Sequence, residues 1–142
     1  MGSYDNNRQI SDLLGVTLTE VNVDNNESHY CCQDVIVFIA STGDRYEMYH
    51  DQDCCESVGI DEIIGDLSDL VGNPILLAES VSNNDRLPGF DRDYGDSHTW
   101  TFYKLSTIRG SVTIRWFGTS NGYYSESVSF KIITQDDEHN GV

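Results

Sequence analysis

From Ser111 to Phe117 (SVTIRWF) apolar and polar side chains alternate one by one. That period of two belongs to a half-buried strand. It puts Val112, Ile114 and Trp116 on one face and Thr113, Arg115 and Phe117 on the other. The same alternation runs through Val16–Val23 (VTLTEVNV) and His98–Ser106 (HTWTFYKLS). Asp34–Ala40 (DVIVFIA) is continuously apolar and β-branched, and Arg45–Tyr49 follows it after a Thr42-Gly43-Asp44 turn. Pro74–Ser82 and Tyr123–Thr134 complete the strand candidates. A chain patterned this way must bury strand faces, so sheet dominates the expected fold.

One segment carries a different period. Ile60–Val71 (IDEIIGDLSDLV) has apolar residues at 60, 63, 64, 67, 70 and 71, the spacing of one helical face. Asp61 and Glu62 lie where a helix dipole favours acids, and Gly72 and Pro74 supply the stop. Gly65 is the weak point of such a helix, costing about 1 kcal/mol relative to Ala. Ile10–Leu14 reads as a single helical turn ended by Gly15. The order is β-β-β-α-β-β-β-β. The predicted fold class is therefore α+β. It is a single domain over 1–142, with an antiparallel-dominated or mixed sheet of six to seven strands and the 60–71 helix packed on one face. Residues 1–9 read as a loose polar start, 83–97 as a long loop and 135–142 as an acidic tail.

Charge excludes one class of function. The chain holds 24 acids against 8 bases, a net charge of −16. Binding to a nucleic-acid backbone draws on clustered Lys and Arg, so direct contact of that kind is not expected. An acidic partner for a basic protein surface is one reading of such a charge, and plain solubilisation is another. No apolar run reaches the ~18 residues of a membrane span, and no signal segment opens the chain, so a cytosolic setting is expected. The cysteines form two vicinal pairs, Cys31-Cys32 and Cys54-Cys55. Vicinal geometry disfavours bridging within a pair, so four free thiols are expected.

Two patches hold more chemistry than folding requires. In the first, Ser111–Phe117 and Tyr123–Thr134 are read as the arms of a final hairpin around the turn Gly118-Thr119-Ser120-Asn121-Gly122. Arg115 then lies opposite Ser125 or Ser127, and Glu126 projects from the core face, where a carboxylate needs a partner such as Arg109 or a tyrosine hydroxyl. Arg109 and Arg115 would grip an anionic group, Trp116 or Tyr123 would stack on a ring, and Ser120 and Asn121 would orient the ligand. In the second patch, His50-Asp51-Gln52-Asp53-Cys54-Cys55-Glu56, His50 would line the opposite wall. Zinc spacing is absent, and Asp51 and Asp53 match only the start of a calcium loop, so no metal and no cofactor is expected. A nucleophilic Cys54 or Cys55 with His50 as base is the hydrolase alternative. Phosphate-binding glycine loops and nucleophile-elbow motifs are absent, so no catalytic residue is assigned.

Two long blocks, MYHDQDCCESVGIDEIIGDLSDLVGNPILLAES and HTWTFYKLSTIRGSVTIRWFGTSNGYYSESVSF, carry a resemblance. Over about Leu14 to Phe130 the chain resembles an uncharacterised family of short phage and bacterial proteins, a domain of unknown function. The resemblance brings no activity, ligand or catalytic residue. It implies a phage or prophage context, with a place in the bacterial host cytoplasm or in association with the virion. It also implies a non-catalytic accessory role, with a host or phage protein or a small anionic, nucleotide-like ligand as partner. An acidic decoy of a nucleic-acid-binding host protein and a structural virion component are the other readings.

Overall fold

The computed structural model describes residues 8–26, 33–51, 55–83, 97–120 and 125–133. Among them lie eight strands: β1 (Leu18–Asn26), β2 (Gln33–Ala40), β3 (Arg45–Tyr49), β4 (Ser57–Ile64), β5 (Leu77–Asn83), β6 (Ser97–Thr107), β7 (Gly110–Ser120) and β8 (Ser129–Ile133). The only helical pieces among the described residues are single 3-10 turns at Ile10–Leu13 and Leu67–Leu70. The strands form two four-stranded sheets, β1-β2-β3-β8 and β4-β7-β6-β5, antiparallel throughout. The architecture is all-β, and the expected α+β class is corrected.

The error has a specific cause. Ile60–Ile64 is not helical: it is the second half of β4, paired with β7. The register slips between Ile60 and Glu62, where one extra residue is inserted opposite β7. Such a bulge resets the two-residue phase. Val58 and Ile60 face inward before it, and Ile63, opposite the buried Ile114, faces inward after it. The 60-to-63 step therefore copies a helical spacing while the backbone stays extended. Gly65 then ends the strand at φ +111, a conformation only glycine adopts without strain.

The second correction concerns the last third of the chain. β7 does pair with a neighbouring hairpin arm, but the arm is β6, through the turn at Ile108-Arg109. β8 leaves that sheet and pairs with β3 of the other. Arg115 lies opposite Phe102 and Glu62, not Ser125 or Ser127. Gly118, Thr119 and Ser120 remain within β7, and Asn121 and Gly122 lie outside the described residues.

The inner faces of both sheets share one core. Ile36, Phe38, Met48, Phe130 and Ile132 come from the first sheet, and Tyr103, Leu105, Val112, Ile114 and Trp116 from the second. Trp116 reaches across, donating its Nε1–H to Met48 Sδ at 3.3 Å. Phe130 stacks on Tyr46 at 5.5 Å and meets Phe38 edge-on at 5.9 Å. The chain crosses between sheets twice near one end of this sandwich, from β3 to β4 and from β7 to β8. Among the described residues no helix is long and apolar enough to cross a membrane.

Candidate functional site

Polar side chains collect where the two crossovers meet. His50 directly follows β3, Glu56 directly precedes β4, Ser120 ends β7, and Glu126-Ser127 lead into β8. His50 Nδ1 stands 2.6 Å from the Ser127 carbonyl oxygen, so Nδ1 donates. Nε2 stands 2.7 Å from Glu56 Oε2, in a contact whose side chains are 4% and 0% exposed. Both ring nitrogens therefore face oxygens, and one proton must lie between Nε2 and the carboxyl. A buried pair with partners on all sides is stable; removing one member strands the other in a dry interior.

Glu126 sits beside this pair. Its Oε1 accepts from Thr99 Oγ1 at 2.7 Å and its Oε2 from Ser120 Oγ at 2.5 Å. The sequence placed Glu126 on the core face and required a partner; the partners are these two hydroxyls rather than Arg109 or a tyrosine. Its close approach depends on Gly118, where an added Cβ would fall 3.1 Å from the Glu126 backbone oxygen and 2.9 Å from Val58 Cγ2. Thr99 escapes sequence reasoning altogether, because its role depends on β7 and β8 belonging to different sheets.

The expected site residues do not converge. Arg109 directly precedes β7 and Ser120 ends it, roughly 35 Å apart at about 3.3 Å per residue. Arg109 is exposed and stands 3.9 Å from Asp69. Trp116 is buried in the core, with no face to offer a ligand. Arg115 lies on the opposite, outer face, as alternation predicted. There Nε donates to Asp61 Oδ2 at 2.8 Å and Nη2 to Glu62 Oε1 at 2.8 Å. Its guanidinium also lies 5.4 Å from the Trp100 ring. Two carboxylates thus occupy the fork that an incoming anion would need. Ser120 and His50 are buried, and Asn121 and Tyr123 lie outside the described residues. Around Arg115 the outer face carries Trp100, Phe102 and Phe117, with Trp100 and Phe117 4.4 Å apart.

No group of three or more His, Cys, Asp or Glu side chains among the described residues is arranged to hold a metal. The free-thiol expectation fails at Cys55, which is disulfide-bonded, with its partner outside the described residues. A nucleophile at Cys55 with His50 as base is therefore not assembled, and Cys54, the other candidate, lies outside the described residues. The Cys55 thiol is consumed, and both His50 nitrogens are engaged.

A cleft of about 420 Å³ opens elsewhere, on the side of the sandwich where β5 and β8 are the sheet edges. Its floor is Tyr103, Val128, Phe130 and Ala78; its walls are Arg8–Ser11 and Ala78–Ser80. The N-terminal segment is fixed there by Arg8 N–H donating to Phe130 O at 2.8 Å. Tyr103 is 5% exposed, yet its hydroxyl makes no hydrogen bond to another described residue. Burial pushes this phenol up to about 12. Tyr46 is raised as well, first by burial and then by the Asp44 and Asp12 carboxylates, with Arg8 opposing.

No curated protein and no solved structure matches the chain significantly. One family profile does, over residues 11–130, a span that holds both crossovers and most of the cleft lining. The chain belongs to the family defined by that profile, a domain of unknown function (DUF7448).

Proposed function

We propose that the protein is a non-catalytic binding module that receives part of its partner in the cleft between β5, β8 and Arg8–Ser11. The observation that carries this reading is Tyr103. Its ring and hydroxyl line the cleft, where the hydroxyl can donate to an incoming acceptor. A ligand oxygen entering the cleft can accept from that hydroxyl, and the surrounding Phe130, Val128 and Ala78 take an apolar group. The cleft volume falls in the range of small-ligand sites. The buried acid–base groups support the same reading from the negative side. His50 spends both ring nitrogens on Ser127 and Glu56, and Glu126 spends both oxygens on Thr99 and Ser120.

The partner is a host or phage protein, or a small ligand, in the phage or prophage setting that the family resemblance implies. The anionic-ligand version loses its two arginines as anchors, since Arg115 is held by carboxylates and Arg109 stands far from the other residues. Fragment screening by heteronuclear NMR tests the cleft. Shifts clustered on Ala78, Ser80, Tyr103 and Phe130, and lost in Tyr103→Phe for acceptor-bearing fragments, are the expected result. Shifts clustered instead around Trp100 and Arg115 would overturn the assignment.

A further inference from the structure

We propose that the natural occupant of this cleft is an extended, basic segment of another protein, added as an extra strand along the free edge of β5; the inference rests on the cleft being the binding site. Three consecutive β5 residues, Ala78, Glu79 and Ser80, line the cleft. Side chains on a strand point alternately to opposite faces. Three in a row can border one space only if the backbone edge itself is part of the wall. Among the described residues β5 pairs with β6 alone, so from Leu77 to Ser82 its other edge can offer N–H and C=O groups to an added strand.

The other sheet edges near the sandwich are modified. β4 carries its bulge, and the Asp34 carboxylate accepts from the Ile60 N–H at 2.8 Å. β8 receives Arg8 N–H at Phe130 O. β1 has a register slip between Leu18 and Glu20. From Leu77 to Ser82, β5 has no register slip, proline or lysine, and its cover among the described residues is the Ile10–Leu13 turn, which packs against it beside the cleft. Its neighbourhood also exposes apolar side chains, Leu76 at 63% and Val81 at 47%.

Register then gives the chemistry of the guest. Ala78 and Ser80 pair with Leu105 and Tyr103 and face inward, while Glu79 and Val81 pair with Lys104 and Phe102 and face outward. A strand added beside β5 must alternate in the same way. Its inward residue enters the cleft over Tyr103 and Phe130 and is apolar or hydroxyl-bearing. Its outward neighbours run beside Glu79, on a protein of net charge −16, and are Lys or Arg. Arg8, the cation of the lining, belongs to the other wall. Long-range attraction between the acidic module and a basic strand also raises the encounter rate, and salt weakens it.

The test uses a labelled heptapeptide, KTKVKTK, titrated by fluorescence anisotropy against the whole protein. Binding is expected, with an ETEVETE control at least tenfold weaker. Successive amides of a strand point to opposite edges, so methylating alternate backbone nitrogens distinguishes strand addition from charge attraction. Methylation of one alternate set is expected to weaken binding at least tenfold, and methylation of the other set to leave it within twofold. Equal effects of the two sets, or no binding at all, would overturn the proposal. Ser80→Trp, which fills the cleft from an exposed position, is expected to weaken the peptide at least tenfold while the melting temperature stays put. If the peptide fails but fragments still shift Tyr103, the cleft remains the site and only the strand inference falls.

Discussion

Replacing His50 with alanine should be among the most destabilising single changes in this protein, although the residue looks like a catalytic group. The imidazole donates to the Ser127 carbonyl at 2.6 Å and meets Glu56 at 2.7 Å, with both side chains almost wholly buried. His50→Ala leaves the Ser127 carbonyl without this donor and strips Glu56 of its buried partner. Breaking a buried pair in this way costs about 3–5 kcal/mol. At this chain length each kcal/mol moves the melting point by roughly 2–4 °C, so a fall of about 10–15 °C is expected. Glu56→Gln is the informative companion. Its amide can donate to Nε2 of a neutral His50 that still donates from Nδ1, so the contact survives at a cost of about 1 kcal/mol. Urea unfolding of the two single variants, Glu56→Ala and the double alanine variant gives the coupling directly. A His50→Ala loss below about 1 kcal/mol, or Glu56→Gln as damaging as Glu56→Ala, would refute the reasoning.

Other expectations follow from the same structure. Tyr103 has a folded pKa raised to about 12 from an ordinary value of 10, so its contribution is complete below pH 10 and lost as pH rises through 12. That loss is on the order of 3 kcal/mol, and alkaline unfolding of Tyr103→Phe should be visibly shallower between pH 10 and 12. Gly65→Ala places a Cβ 2.6 Å from the Ser111 carbonyl at φ +111, and should cost at least about 2 kcal/mol by chemical denaturation. Arg115→Ala removes a half-exposed ion-pair network and should change stability by only about 0–1 kcal/mol, with the peptide affinity unchanged. A larger loss of affinity would restore Arg115 to the site.

Much of the sheet is legible in the sequence because alternation is a local signal. Arg45–Tyr49 and the two faces of Ser111–Phe117 need nothing beyond the period of two, and β3 and β7 follow them. The turn ended by Gly15 is also local, and Gly15 takes φ +83. What escapes is whatever depends on a partner strand. The β4 bulge imitates a helix because a single inserted residue turns a step of two into a step of three. The return of β8 to the first sheet leaves no mark in β8 itself; its alternation fits pairing with β3 as well as with β7. The site suffers most from this. Glu126 reads correctly as a buried carboxylate, but Thr99 becomes its partner only after two sheets have stacked. Glu56 stands six residues from His50 and looks like one more acid of an acidic loop until the chain closes. The cleft lies between two strand edges and a preceding segment, and no motif records such a meeting.

The most direct measurement is a set of isotope-edited nuclear Overhauser effects between the bound KTKVKTK peptide and the labelled protein. The expected pattern has the central valine methyls close to the Tyr103 and Phe130 rings, with the peptide backbone running beside Ala78–Ser80. Contacts of that valine with Trp100, Phe102 or Phe117 on the outer face, and none with Tyr103, would contradict the account.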